Sequence, residues 1–154
     1  MTIRIRLYQP SDREFILSLV GRFSGVDLPE WRRAEDVDRT NHASLADALE
    51  EPDPGSAIFL AEEEGVPAGF IHLRTQTDYF NGEAHGYISE VAVAPDFEGR
   101  GAGHLLLETA EDWARSKGYS LLTLYVFASN THARHIYERF GFQEEVIKYG
   151  KILR

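Results

Sequence analysis

The chain contains no cysteine in 154 residues. That excludes disulfides, thiolate metal sites and a cysteine nucleophile that would carry a covalent acyl group. Long apolar runs are also missing, and the longest is far too short to cross a bilayer. Met1–Arg6 alternates apolar and basic residues without an apolar core, so it reads as a strand and not as a secretory signal. Basic residues are in deficit: 16 Lys and Arg stand against 25 Asp and Glu, a formal charge of −9. A nucleic-acid backbone needs a basic face, so nucleic acid is not expected as a partner. The acidic balance suits a cationic substrate and equally a plain solvated surface. His132 and His135 lie three apart on a helical pattern, but no third ligand accompanies them at metal spacing, so no metal is expected. No repeat, linker or composition shift divides the sequence. One domain with a proper core is expected, cytoplasmic and either an enzyme or a binding module.

What is present concentrates in Ser89–Phe142. The pattern there is strand, glycine turn, helix, strand, helix. At its centre stands Glu98-Gly99-Arg100-Gly101-Ala102-Gly103, after the apolar Val91-Ala92-Val93 and before the amphipathic Leu105–Trp113. Glycine accepts positive φ and leaves room for a ligand's close approach. The following helix adds unpaired N–H groups and the positive end of its dipole. Those features suit a phosphate or diphosphate. The run is not a P-loop, because no Lys-Ser or Lys-Thr follows. Nor is it a dinucleotide fingerprint, because the third glycine is absent. On these residues alone, a tight turn that binds nothing stays open.

Ile88-Ser89-Glu90-Val91-Ala92-Val93-Ala94-Pro95, followed by Gly99-Arg100-Gly101-Ala102-Gly103, resembles acetyl-CoA motif A of the GCN5-related N-acetyltransferases (GNAT). Asn130, Ala133, Tyr137 and Gly141-Phe142 look like the second half of that signature, in the right order and separation. The resemblance implies an α/β (α+β) fold with a mixed, mostly antiparallel central sheet flanked by helices. It implies a splay between the two central strands, and acetyl-CoA as co-substrate. Val91, Ala92 and Val93 would then line the pantetheine arm, with backbone groups of Val91 and Val93 pairing with it like an added strand. Gly99, Arg100, Gly101, Ala102, Gly103 and His104 would cradle the diphosphate. Asn130 would cap the last helix and touch the arm, Ala133 would lie against the cofactor, and Arg134 would reach toward a phosphate. Tyr137 stands where the family keeps its proton donor, although its periodicity alone reads as a core aromatic. Glu90 is the candidate base, with a structural or substrate-binding carboxylate as the rival reading; His85 is a distant alternative. Where some members place a glutamate on the following strand, this chain has Tyr125. The family usually has Gln or Arg where this chain has Glu98, so Glu98 is expected to turn outward.

The rest of the chain fits that frame with fewer diagnostic residues. Ile3–Leu7 reads as a first strand, and Ser11 with Glu14 has the spacing of a capping box. Trp31–Thr40 reads as a loop or frayed helix, and Ser44–Glu51 as a short helix. Phe23, Trp31, Glu35, Asp36 and Asp38 could hold an ammonium group, or form a solvated loop. Ala57–Ala61 and Ala68–Thr75 read as a hairpin around Glu64-Gly65. Tyr79 and Phe80, at a second hairpin tip, could pack on the core or line a substrate entrance, and packing is expected. Leu121–Phe127 reads as a strand buried on both faces, and Glu144–Leu153 as a final strand. Such strands often pair across a dimer in the resembled family, so a homodimer is expected. The activity implied is direct acetyl transfer from acetyl-CoA to a small-molecule or peptide amine. A non-catalytic acyl-CoA-binding module and a nucleotide-binding protein are the competing readings.

Overall fold

The computed structural model describes residues 2–154. In chain order its elements are β1 (Ile3–Leu7), α1 (Arg13–Ser18), α2 (Ala34–Glu50), β2 (Ala57–Glu63), β3 (Val66–Thr77), β4 (Ala84–Val93), α3 (Ala102–Ser116), β5 (Leu122–Leu124) and α4 (Thr131–Phe140). The strands form one sheet in the order β1-β2-β3-β4-β5. The first four run antiparallel to their neighbours, and β5 joins β4 in parallel. This is the expected mixed, mostly antiparallel sheet flanked by helices.

Strand alternation divides β3 between two cores. Ile71 and Leu73 face α3 and pack with Ile88, Leu106, Ala110 and Trp113. Phe70 faces the other way and packs with Ile16 of α1 and Leu45 of α2. The β2–β3 hairpin turns on Glu64 and Gly65, whose φ angles of 51° and 80° are both left-handed. Two such residues give the turn the twist its strands need. Pro67 sits next to the irregular pairing between Ala61 and Glu62, where a missing N–H is tolerated.

Several local expectations are corrected. α2 is a single helix of 17 residues; of the two readings for Trp31–Thr40, loop or frayed helix, helix holds from Ala34 on, continuous with the short helix expected at Ser44–Glu51. Val37, Asn41, Leu45 and Leu49 give it one inward stripe, and the charges that read as irregular form its outer face. Ser11 and Glu14 make no capping box. Asp12 takes that place, accepting the Gln9 N–H at 2.8 Å. Tyr79 and Phe80 do not pack on the core: they are 92% and 81% exposed and meet only edge to face, 5.3 Å apart. β5 is three residues long and half-buried. Its pairing ends at Ile88–Leu124, and Tyr125 beyond it is 79% exposed. Residues 143–154 carry no strand. They are tied instead by Arg134 to Glu144 at 2.6 Å, by Arg154 to Glu30 at 3.1 Å, and by Gly150 lying against the Trp31 ring.

Candidate active site

The site is organised by one extra residue. On β3 and β4, Leu73 pairs with Ile88 but His72 pairs with Glu90, so Ser89 is bulged out. Before the bulge, Gly86 and Ile88 face α3; a Cβ on Gly86 would meet Trp113 and Ala114. After it, Val91 and Val93 face α3, while Ala92 faces the α1–α2 side. Glu90 therefore shares the α1–α2 face with His72 and Ala92.

The backbone follows the same shift. The Ala94 N–H donates to Ala68 C=O on β3 at 2.7 Å. Alternation along an antiparallel ladder then turns Ala92 toward β3 and turns the N–H and C=O of Val91 and Val93 away from it. They point to the side where β5 would continue, but β5 pairs only as far as Ile88. The two strands separate there, as the splay expectation requires, and leave backbone groups on an open edge.

At the end of that edge stands the glycine turn. Gly99 and Gly101 have φ of 76° and 90°, and apart from the adjoining backbone no atom lies within 4 Å of where their Cβ atoms would be. Gly101 is the N-cap of α3, and no side chain caps the helix. The first bond into the helix is Leu105 N–H to Gly101 C=O at 3.1 Å, so the N–H groups of Ala102, Gly103 and His104 have no intrahelical partner. These groups suit an anion, and the space in front of the glycines is open. The nearby side chains are engaged elsewhere. Arg100 donates to Glu63 at 2.7 Å and lies over the Phe97 ring, and His104 is 2.8 Å from Glu108. Glu98 pairs with Arg22, from the turn after α1, which answers the departure noted at this position.

α4 begins at Asn130, whose side chain accepts the Ala133 N–H at 3.2 Å. It ends at Gly141, with φ of 107° in the left-handed cap. Tyr137 and Phe140 pack against the α3-side core, with the Tyr137 ring edge-on to Phe142 at 5.9 Å. Burial raises the Tyr137 phenol above its ordinary value, so it stays protonated at neutral pH. Its hydroxyl has no hydrogen-bond partner among the described residues. Arg134 is turned to the Ala128 carbonyl at 2.9 Å and to Glu144.

Glu90 is partly buried, and both its oxygens lie 3.2 Å from Nδ1 of His72. Tyr87 is on the same face, edge-on to Tyr125 at 5.8 Å. Its phenol is raised by burial first and then by the Glu90 charge. His85 is buried with Nδ1 unpartnered. On α2, Asp36 pairs with Arg39 at 2.7 Å, Glu35 is exposed, and one oxygen of half-buried Asp38 has no partner. Phe23 joins the α1–α2 core, whereas Trp31 packs under the C-terminal segment. A cleft of about 500 Å³ at the C-terminal end of α2 is lined by Asp47, Glu50, Glu51, Asp53 and Arg74. Sequence reasoning missed His72, Arg22 and Glu63. His72 alone left a local signal, as the one polar residue in the buried run Ala68–Leu73.

The family model described as Acetyltransferase (GNAT) family matches residues 24–142. The chain belongs to that family. It is 30% identical over 143 residues to the uncharacterized N-acetyltransferase YhfO of Bacillus subtilis, spanning 93% of this chain and 91% of that one. It covers only 28% of the length of the mycothiol acetyltransferase of Propionibacterium freudenreichii, to which it is 33% identical over 90 residues. The fold superposes on a GCN5-related N-acetyltransferase from Ralstonia eutropha with a TM-score of 0.73 at 21% identity, covering 98% and 99% of the two chains. It superposes on the aminoglycoside N-acetyltransferase AAC(6')-Iy in complex with CoA with a TM-score of 0.72 at 24% identity, covering 97% and 95%.

Proposed function

We propose that the protein transfers an acetyl group from acetyl-CoA to a primary amine, directly, with both substrates bound. The observation that carries this reading is the junction of the open Val91–Val93 edge with the uncapped start of α3. An extended amide arm would complete the edge as a strand does. The diphosphate at its end would meet the free N–H groups of Ala102, Gly103 and His104. Gly99, Arg100 and Gly101 serve through backbone, Asn130 through the amide end its cap leaves free, and Ala133 by contact.

Chemistry then needs three things. An N–H on the β4 edge polarises the thioester carbonyl, an oxyanion-type effect worth about 3 kcal/mol. Glu90, ionised, takes a proton from the acceptor ammonium, which frees the nitrogen lone pair for attack. The nitrogen then bonds to the carbonyl carbon. As the carbon–sulfur bond breaks, its electrons pass to sulfur and Tyr137 gives its phenolic proton to the thiolate. The second proton shed by the nitrogen goes to solvent, from which the phenol is restored. Acidic groups on α2 and beside Arg74 favour a cationic acceptor. A homodimer rests on the family resemblance alone, because residues 143–154 carry no strand to pair across it, and light scattering on the purified protein tests it.

The decisive experiment is thiol release from acetyl-CoA with a panel of amines, paired with thermal melts in CoA and in ATP. Release with at least one amine and protection by CoA supports the reading. CoA protection without release for any amine supports a non-catalytic binding module, and protection by ATP alone a nucleotide-binding protein.

A further inference from the structure

We propose that His72 is a positioning residue that holds the Glu90 carboxylate for proton removal. Its catalytic consequence rests on the acetyl-transfer reading; its structural part does not.

His72 lies in the middle of β3 between Ile71 and Leu73, both fully buried, and is itself 2% exposed. A buried imidazole is costly there unless its polar atoms are satisfied. Nδ1 lies 3.2 Å from each oxygen of Glu90. The two equal distances place Nδ1 symmetrically before both oxygens. An ionised carboxylate only accepts hydrogen bonds, so Nδ1 carries the proton. One donor shared by both oxygens restrains the carboxylate and leaves each oxygen further lone pairs for an incoming proton.

The bulge makes the pair. Extending the Leu73–Ile88 register by one step would set Ser89 opposite His72. The extra residue sets Glu90 there instead. The same residue turns the Val91 and Val93 backbone to the open edge, so one irregularity places the base and the cofactor edge in fixed relation. The Glu90 charge is felt by Tyr87 of β4, a phenol that also has Tyr125 and Arg74 near it. Among the described residues the hydrogen bonds of the Glu90 carboxylate go to His72, which therefore orients it.

Two variants and one spectrum test this. His72→Asn keeps an N–H donor near the Nδ1 position, whereas His72→Leu keeps the volume and removes the donor. With an acceptor from the amine panel, His72→Leu is expected to lower kcat by about 10- to 100-fold, as misplacement of a reacting group does. KM for acetyl-CoA and thermal protection by CoA should stay near wild type, and His72→Asn should recover most of kcat. Equal loss in both variants, or no loss in His72→Leu, would overturn the assignment. The spectrum is a proton–nitrogen correlation of the His72 ring in the wild-type chain and in Glu90→Ala. The Nδ1–H tautomer is expected in wild type and its loss in Glu90→Ala. An Nε2–H tautomer in wild type refutes the pairing. This measurement needs no turnover, so failure of the acetyl-transfer reading and failure of the His72–Glu90 pair are told apart.

Discussion

Tyr137→Phe separates chemistry from architecture in a single oxygen atom. The ring is packed against Phe142 and the α3-side core, and phenylalanine keeps all of that contact. The hydroxyl makes no hydrogen bond within the described chain, so its removal orphans no partner. Loss of a satisfied hydrogen bond would cost about 1 kcal/mol, and here none is lost. The melting temperature should therefore move by less than about 2 °C. In the proposed reading backbone groups at the β4 edge and the α3 start hold CoA, so its binding should also be unchanged. Turnover should not be. A positioned general acid contributes about 10²- to 10⁴-fold, so kcat should fall by roughly 100-fold or more at unchanged KM for acetyl-CoA. Burial raises the phenol, so in wild type the proton is present through neutral pH and is lost only on the far alkaline side. A thiol-release assay across pH, with melts in parallel, reads all of this. Retention of more than about a third of wild-type kcat in a fully folded variant would refute the assignment of Tyr137 as proton donor.

Gly101→Ala puts a side chain at φ of 90°, at a cost of about 1–2 kcal/mol, and crowds the anion cradle. CoA protection in a thermal melt should disappear while the protein still folds. Glu98→Gln breaks an exposed pair with Arg22 worth about 0–1 kcal/mol, so the melt should barely change. Calorimetric CoA affinity should rise by less than about threefold, because Arg22 already neutralises the carboxylate; a tenfold gain would show that Glu98 opposes the diphosphate. Asp12 is buried, and its carboxyl is held below the usual range chiefly by hydrogen bonds from Arg6, at 2.8 and 2.9 Å. That stabilisation is complete above the unfolded value of about 3.9 and is lost as pH falls through the lower folded value. Asp12→Asn should thus cost about 2 kcal/mol at pH 7, seen as roughly 4–8 °C, and the gap to wild type should close in acid.

Elements written in local chemistry were legible from sequence. The β2–β3 turn, the glycine start of α3 and the Asn130 cap each depend on a few adjacent residues, and the structure has all three. What escaped depends on partners far apart in the chain. Glu98 is 76 residues from Arg22, and Arg100 is 37 from Glu63. α2 was misread because its outer face is so charged that its narrow inward stripe was hidden. β5 was overextended because an apolar run reports burial, not the point where a ladder stops. The C-terminal segment alternates loosely, but alternation does not create a neighbour with which to pair.

The bulge at Ser89 explains why periodicity could not settle what Glu90 does. In an unbroken strand, Gly86, Ile88, Glu90 and Ala92 would share a face, and a carboxylate would point into the core that α3 covers. Such a burial without a cation would cost several kcal/mol, so the strand would demand a neutral residue at 90. One inserted residue moves Glu90 to the face of His72 and sends Val91 and Val93 into the core in its place. The same phase change frees the backbone of those two valines on the edge that β5 leaves. Position 90 is thus tolerable as a carboxylate, and valuable as one, for a single geometric reason.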